Sequence, residues 1–172
     1  MTTSMKKPSI VVLDLDETLV YSTPVSSEEI NEMNAKHPDA FFISCSNPVS
    51  ISMVKKRKHI DHFINELKRN GKTLVVWSAG MELYVKNVCN VLFGRDTLEY
   101  ILSGPHFYQF GKKKDIRVLG IHNMIPNFDI NDAVLIDDRV ANATDNPRNI
   151  IVVKPFQGQD DDELLRVLDL II

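Results

Sequence analysis

Short apolar runs alternate with longer amphipathic stretches along this chain. Ser9-Ile-Val-Val-Leu-Asp-Leu15 is short, β-branched and apolar on both faces, the pattern of a buried strand. Thr73-Leu-Val-Val-Trp77, Ala133-Val-Leu-Ile136 and Ile150-Ile-Val-Val153 repeat that pattern and predict three further strands. Between them lie stretches with helical spacing. Ile60, Phe63, Ile64 and Leu67 predict a helix over His59 to Asn70, stopped at Gly71. Leu83, Val88, Val91 and Leu92 predict a second over Met81 to Phe93, closed by Gly94. Asp160 to Leu170 predicts a last helix, whose acidic first turn suits the positive end of the helix dipole. Strands alternating with helices predict an α/β fold: a central parallel sheet with helices on both faces.

Two stretches break the rhythm. Residues 22–58 begin polar (Ser26, Ser27, Glu28, Glu29, Asn31, Glu32), are punctuated by Pro24, Pro38 and Pro48, and end in two strand-like pieces, Phe41-Phe42-Ile43 and Val49 to Val54. This reads as an insertion after the first strand, a short helix plus a β-hairpin. Insertions there can cover the edge where ligands bind, outside the carboxyl ends of the strands. Gly104 to Gly111 reads as irregular and rich in rings, with His106, Phe107, Tyr108 and Phe110 beside Tyr100.

Composition narrows the class. With 172 residues, 44% hydrophobic and 25% charged, the chain reads as a single domain of ordinary soluble make-up. Twenty Lys and Arg against 23 Asp and Glu leave a formal charge of −3, which argues against a dedicated nucleic-acid or membrane-surface binder. Apolar runs stop at four or five residues, so no membrane span is expected. The N-terminus has two lysines but no apolar run behind them, so no secretory signal is expected either. Cys45 and Cys89 form no CxxC unit and read as free thiols in a reducing compartment.

The candidate chemistry sits where strands end. Asp14-Leu15-Asp16-Glu17-Thr18 follows the first strand. Two carboxylates at a buried strand exit repel one another unless a cation lies between them or one is protonated. A hard divalent ion such as Mg2+ meets that need with oxygen ligands. Asp137-Asp138 closes another buried strand in the same way, and a doubly wound sheet opens both ends on one edge. Asp14, Asp16, Asp137 and Asp138 can then share one cation site; each pair alone also fits a solvated strand exit. Ser78 stands between a strand and a helix, where its hydroxyl either caps the helix or, with nearby backbone N–H groups, holds a phosphate oxygen. Lys112-Lys113-Lys114 is either a solvated face or the source of one cation for the site.

These residues form a recognisable set. Asp14-Leu-Asp-Glu-Thr-Leu-Val-Tyr-Ser22 resembles the first motif of haloacid dehalogenase superfamily phosphatases. More narrowly it resembles the RNA polymerase II C-terminal-domain phosphatase branch, the small-CTD-phosphatase-like or NLI-interacting-factor-like family, whose motif reads DLDETLVHS; Tyr21 alone departs. The resemblance runs from about Ile10 to Leu168. Val54-Lys-Lys-Arg57 with His59 and Phe63 is similar to the family's strand-to-helix passage. Trp77-Ser78-Ala79 matches the second motif, where Thr is usual. Lys114-Asp115-Ile116 with Leu119-Gly120 matches the lysine motif and selects Lys114 from the triplet. Val134-Leu-Ile-Asp137-Asp138 matches the last motif, and Pro155-Phe156 with Asp162-Glu163-Leu164-Leu165 resembles the entry to the C-terminal helix.

The resemblance implies a three-layer αβα Rossmann-like fold and a Mg2+-dependent phosphatase working through an aspartyl-phosphate. Asp14 is then the nucleophile and Asp16 the general acid and base. Mg2+ is held by Asp14, the Asp16 main-chain carbonyl and Asp137, with Asp138 nearby. Ser78, Ala79 and Lys114 bind the phosphate oxygens. The implied substrate is phosphoserine or phosphothreonine in a protein, with the polymerase tail repeats as leading candidate. Phe41, Phe42, Ile43, Val49 and Ile51 then either offer a wall beside the site or only pack the hairpin onto the domain, and Arg57 and Lys58 either reach substrate phosphates or are solvated. The expected partner is a phosphoprotein, with no direct nucleic-acid or membrane binding, and the chain is expected to be monomeric and intracellular, nuclear or cytoplasmic. Two other readings stand beside this one: a phosphatase of a nucleic-acid end or small metabolite, and a non-enzymatic interaction protein of the same fold.

Overall fold

The computed structural model describes residues 7–45 and 50–172. Five parallel strands form the central sheet: β1 (Ile10–Leu13), β5 (Thr73–Trp77), β6 (Tyr100–Leu102), β7 (Ala133–Asp137) and β8 (Ile150–Val152). Their order is β6-β5-β1-β7-β8, so the first strand lies at the centre, hydrogen-bonded to β5 and β7. Because side chains alternate along a strand, each of these apolar runs feeds two cores. Val11, Leu13, Leu74, Val76, Val134 and Ile136 face one of them. Ile10, Val12, Val75, Trp77, Ala133 and Leu135 face the other.

Helices α2 (Ile60–Arg69), α3 (Glu82–Phe93) and α6 (Glu163–Ile171) cover the first face. The second is covered by α5 (Val118–Ile121) and the chain around Phe110, Ile125 and Phe128. The layers are thus helix, sheet, helix, as expected. Helix α2 buries the four apolar residues that its pattern named. Helix α3 does not: Leu83 and Val91 are 49% and 48% exposed, while Tyr84, Val85, Cys89 and Phe93 turn inward with Val88 and Leu92. Helix α6 begins at Glu163, not Asp160. Asp161 is drawn to Arg57 and Asp162 to His59, so of the acidic run only Glu163 stands in the helix's first turn. The ring-rich stretch is more regular than expected. It contributes edge strand β6 and a short helix, α4 (Gly104–Gln109).

The insertion is a three-stranded antiparallel sheet, β2 (Val20–Val25), β4 (Ile51–Lys56) and β3 (Phe41–Ser44), with the sequence order 2-4-3 and helix α1 (Ile30–Lys36) between β2 and β3. The expected helix and hairpin are there, and β2 adds a strand that starts two residues before the expected boundary. Pro24 is tolerated in β2 because that strand is an edge. Val49 and Pro48 of the second strand-like piece lie outside the described residues. Cys45 and Cys89 are buried and free.

Candidate active site

Just past β1 the chain makes a tight turn. Glu17 sits in the left-handed region at φ 60°, and the N–H groups of Leu19 and Val20 both donate to the Leu15 carbonyl, at 2.8 and 3.0 Å. The turn brings the Thr18 hydroxyl back onto Asp14, where it donates to Oδ2 at 2.8 Å. The same hydroxyl oxygen accepts from the Asp138 N–H at 3.1 Å, which ties the end of β1 to the end of β7.

Lys114 joins the two ends again through charge. Its side chain is 1% exposed, and Nζ donates to Asp14 Oδ1 and Asp137 Oδ2, both at 2.6 Å. Lys114 is itself fixed by its N–H bond to the Asn142 carbonyl at 2.8 Å. Asn142 Nδ2 donates to both Asp137 oxygens, at 3.1 and 3.0 Å, and the Arg139 N–H donates to Oδ1 at 2.8 Å. Burial pushes the Asp14 carboxyl above its ordinary range, with Lys114 opposing that rise. Burial pulls the Lys114 ammonium down, but Asp14 and Asp137 outweigh it and leave it raised. Burial, then the charge of Asp137, pushes Asp138 up.

Asp14, Asp137 and Asp138 each offer an oxygen, all within 4.8 Å of one another. Three carboxylates against one ammonium leave the cluster short of positive charge, and the donors are hard oxygens. The residues therefore fit a divalent cation of the Mg2+ class. Asp16 is not in this cluster. Its carboxylate accepts from the Tyr84 hydroxyl, with Ser22 Oγ at 3.5 Å, and the Tyr84 and Ser22 hydroxyl oxygens lie 3.1 Å apart. Of the expected cation ligands, Asp16 thus has only its main-chain carbonyl to offer. Burial raises its carboxyl, and the Tyr84 hydrogen bond opposes that rise.

Ser78 ends β5, buried at 1% exposure. Its N–H donates to the Leu102 carbonyl at 2.9 Å and its Oγ accepts from the Gly80 N–H at 3.0 Å, so it shapes the turn into α3. Ala79 at the tip is exposed. Gly104 presses α4 against this turn: its N–H donates to the Gly80 carbonyl at 2.7 Å. Of the lysine triplet only Lys114 reaches the carboxylates. Lys112 lies over the Tyr108 ring and Lys113 pairs with Asp145 at 3.6 Å.

Two expected substrate contacts fall away. Arg57 is buried, and every arm is engaged: Nε and Nη2 with Asp161 at 2.9 and 2.7 Å, Nη1 with the Thr18 carbonyl, Nη2 also with the Lys154 carbonyl, and its plane over Phe156. It clamps the active-site turn: four of its five N–H donors are taken within the protein and the side chain is buried. Ile43 is buried in the core that α3 shares. Phe41 also packs onto that core, whereas Phe42 alternates to the other face of β3. Sequence reasoning missed Tyr84 and Asn142 as partners of Asp16 and Asp137. Tyr84 precedes Val88 by one helical turn, a signal obscured by placing Leu83 on the buried face. Asn142 carried no signal at all.

The sequence model of a family described as NLI interacting factor-like phosphatase matches residues 9–172. The chain is similar to CTD nuclear envelope phosphatase 1B of Danio rerio, 29% identical over 184 residues that cover 96% of this chain and 66% of that one. It is also similar to a probable C-terminal domain small phosphatase of Dictyostelium discoideum, 27% identical over 167 residues, covering 94% and 49%. The chain thus spans between half and two thirds of the length of these relatives. Among solved structures it resembles Fcp1, described as an essential RNA polymerase II CTD phosphatase, with TM-score 0.70 and 21% identity, covering 95% of this chain and 49% of that one. A putative phosphatase from Clostridium difficile superposes with TM-score 0.61 at 14% identity, covering 97% and 100%. These structural likenesses establish a Rossmann-like fold of the haloacid dehalogenase type.

Proposed function

The chain belongs to the NLI interacting factor-like phosphatases, and on that premise we propose that it hydrolyses phosphomonoesters through an aspartyl-phosphate on Asp14, with phosphoserine or phosphothreonine of a polypeptide as substrate. One observation carries the reading: Asp14 and Asp16 stand two residues apart in different surroundings. Asp14 lies beside Asp137 and Asp138 and is bridged to Asp137 by Lys114, at 2.6 Å on each side. Asp16 is turned aside onto Tyr84 and Ser22, where it can hold a proton. Paired carboxylates kept apart in this way suit a nucleophile and an acid.

An Asp14 oxygen attacks phosphorus, and the bond from phosphorus to the serine or threonine oxygen breaks. Asp16 gives its proton to the departing oxygen. It then takes a proton from the water that attacks the aspartyl-phosphate, which releases inorganic phosphate and restores Asp14. Lys114, the Ser78 hydroxyl and the N–H groups around Ala79 hold the non-bridging oxygens. Asp14, Asp137 and the Asp16 carbonyl, with Asp138 close by, would hold Mg2+, which would supply charge screening for the approach of one anion to another. Relatives named as CTD phosphatases support a phosphoprotein, with the polymerase tail repeats as leading candidate.

The test is turnover of p-nitrophenyl phosphate and of a phosphoserine peptide by the full chain with Mg2+. Asp14→Asn is expected to bring both below detection, and EDTA to do the same reversibly. Turnover by Asp14→Asn at the wild-type rate would overturn the assignment. Nucleotides or sugar phosphates turned over faster than any phosphopeptide would replace the substrate class.

A further inference from the structure

A cleft of about 640 Å3 opens beside the insertion. Its walls are the chain from Lys36 to Ala40, the junction of β4 with α2 from Lys55 to His62, and the segment from Phe156 to Asp160. Five Lys or Arg line it against three Asp, and three of the chain's five histidines are there too. The lining itself therefore favours positive charge, though most of it is met by acids in and around the cleft, Lys36 by Glu32 among them.

Most of these cations are engaged. Lys56 pairs with Asp61, Lys58 with Asp160 and Asp162, and Arg57 with Asp161. Lys55 is different: it makes no ion pair among the described residues. It lies opposite Tyr21 in the β2–β4 register. Gly158, at φ +93°, lies against it: a Cβ there would stand 3.6 Å from Lys55 Cδ and 3.8 Å from Nζ. The cleft is not remote from the catalytic turn. The Phe156 N–H donates to the Glu17 carbonyl at 2.7 Å, and Gln157 Nε2 donates to the Glu17 carboxylate at 3.1 Å. One segment of chain thus forms both a wall of the cleft and a brace for the turn that carries Asp14 and Asp16.

We propose that this cleft is a second anion subsite, centred on Lys55, that takes a further phosphoryl group carried by the same polypeptide substrate. The proposal rests on the phosphopolypeptide reading of the active site. Charge complementarity favours it, because a dianionic phosphate supplies the partner that the Lys55 ammonium lacks while its neighbours are paired. A chain lying across the shared wall reaches both places at once, so the second contact acts at high effective concentration.

The experiment compares peptides of one sequence, singly phosphorylated or carrying a second phosphoserine at a series of spacings, with loss of the first phosphate followed by mass spectrometry. At one or two spacings the doubly phosphorylated peptide is expected to show kcat/KM about tenfold higher, an advantage that shrinks as salt rises. In Lys55→Glu that ratio is expected to fall to about one, with Lys55→Gln between, and circular dichroism confirms that both variants are folded. Equal kcat/KM at every spacing would overturn the subsite, as would an advantage that survives in Lys55→Glu; either result leaves the active-site reading standing. Failure to turn over any phosphopeptide, with p-nitrophenyl phosphate still hydrolysed, would instead overturn the substrate reading on which the subsite depends.

Discussion

Lys114 holds apart two carboxylates that would otherwise face each other in a buried site. Removing one partner from such a set leaves uncompensated charge and costs about 3–5 kcal/mol. Lys114→Met is therefore expected to lower the urea midpoint in EDTA, and added Mg2+ to restore more stability to this variant than to wild type. Equal Mg2+ shifts in both proteins would contradict that account. In the proposed reaction Tyr84 acts through Asp16, as a positioning residue. A nitrophenolate leaves without a proton, whereas a serine alkoxide needs one. Tyr84→Phe is thus expected to slow a phosphoserine peptide about tenfold more than p-nitrophenyl phosphate, and Asp16→Asn to slow the peptide by roughly 10²–10⁴. Equal slowing of both substrates by Tyr84→Phe would show that the hydroxyl does nothing for Asp16.

Between elements, Gly104 permits a close approach. A Cβ there would lie 2.9 Å from the Gly80 carbonyl oxygen and 3.0 Å from that of Ala79, and neither backbone atom can swing away. Gly104→Ala is expected to displace the turn after β5 and raise KM more than it lowers the melting temperature. Gly94→Ala is the control: its φ of +74° with ψ of −175° carries strain of about 1–3 kcal/mol, but its Cβ meets nothing, so KM holds. The Arg57–Asp161 clamp joins β4 to the approach of α6. The Arg57 guanidinium holds the Asp161 carboxyl below its usual range. A lowered carboxylate contributes stability that is present at neutral pH and lost as pH falls through its folded value. Wild type is therefore expected to lose more stability than Asp161→Asn between about pH 5 and about pH 2, read from denaturation midpoints. The elements themselves were legible where one face or both are wholly apolar, as in β1, β5, β7 and α2. Helix α3 was misread because exposed Leu83 and Val91 look the same in sequence as buried ones, and only the neighbouring sheet decides which stripe turns inward.

On the scale of the whole molecule, the carboxylates were legible because strand ends concentrate chemistry in a parallel sheet. What holds them was not: the Thr18, Tyr84 and Asn142 contacts reach across 4 to 68 residues of chain. Arg57, read as a reach toward substrate, is a strut instead, because its partners Lys154 and Asp161 lie about a hundred positions away and leave no local trace. The central place of β1 has one more consequence, for synthesis. Its inner neighbour β7 arrives from residue 133 onward, long after β1 and β5 have left the ribosome. Until then one side of β1 presents unpaired backbone, the kind of edge that chaperones guard and aggregates seek. The strand that closes this edge ends in Asp137. The growing chain therefore completes its carboxylate cluster in the same step that pairs this exposed edge.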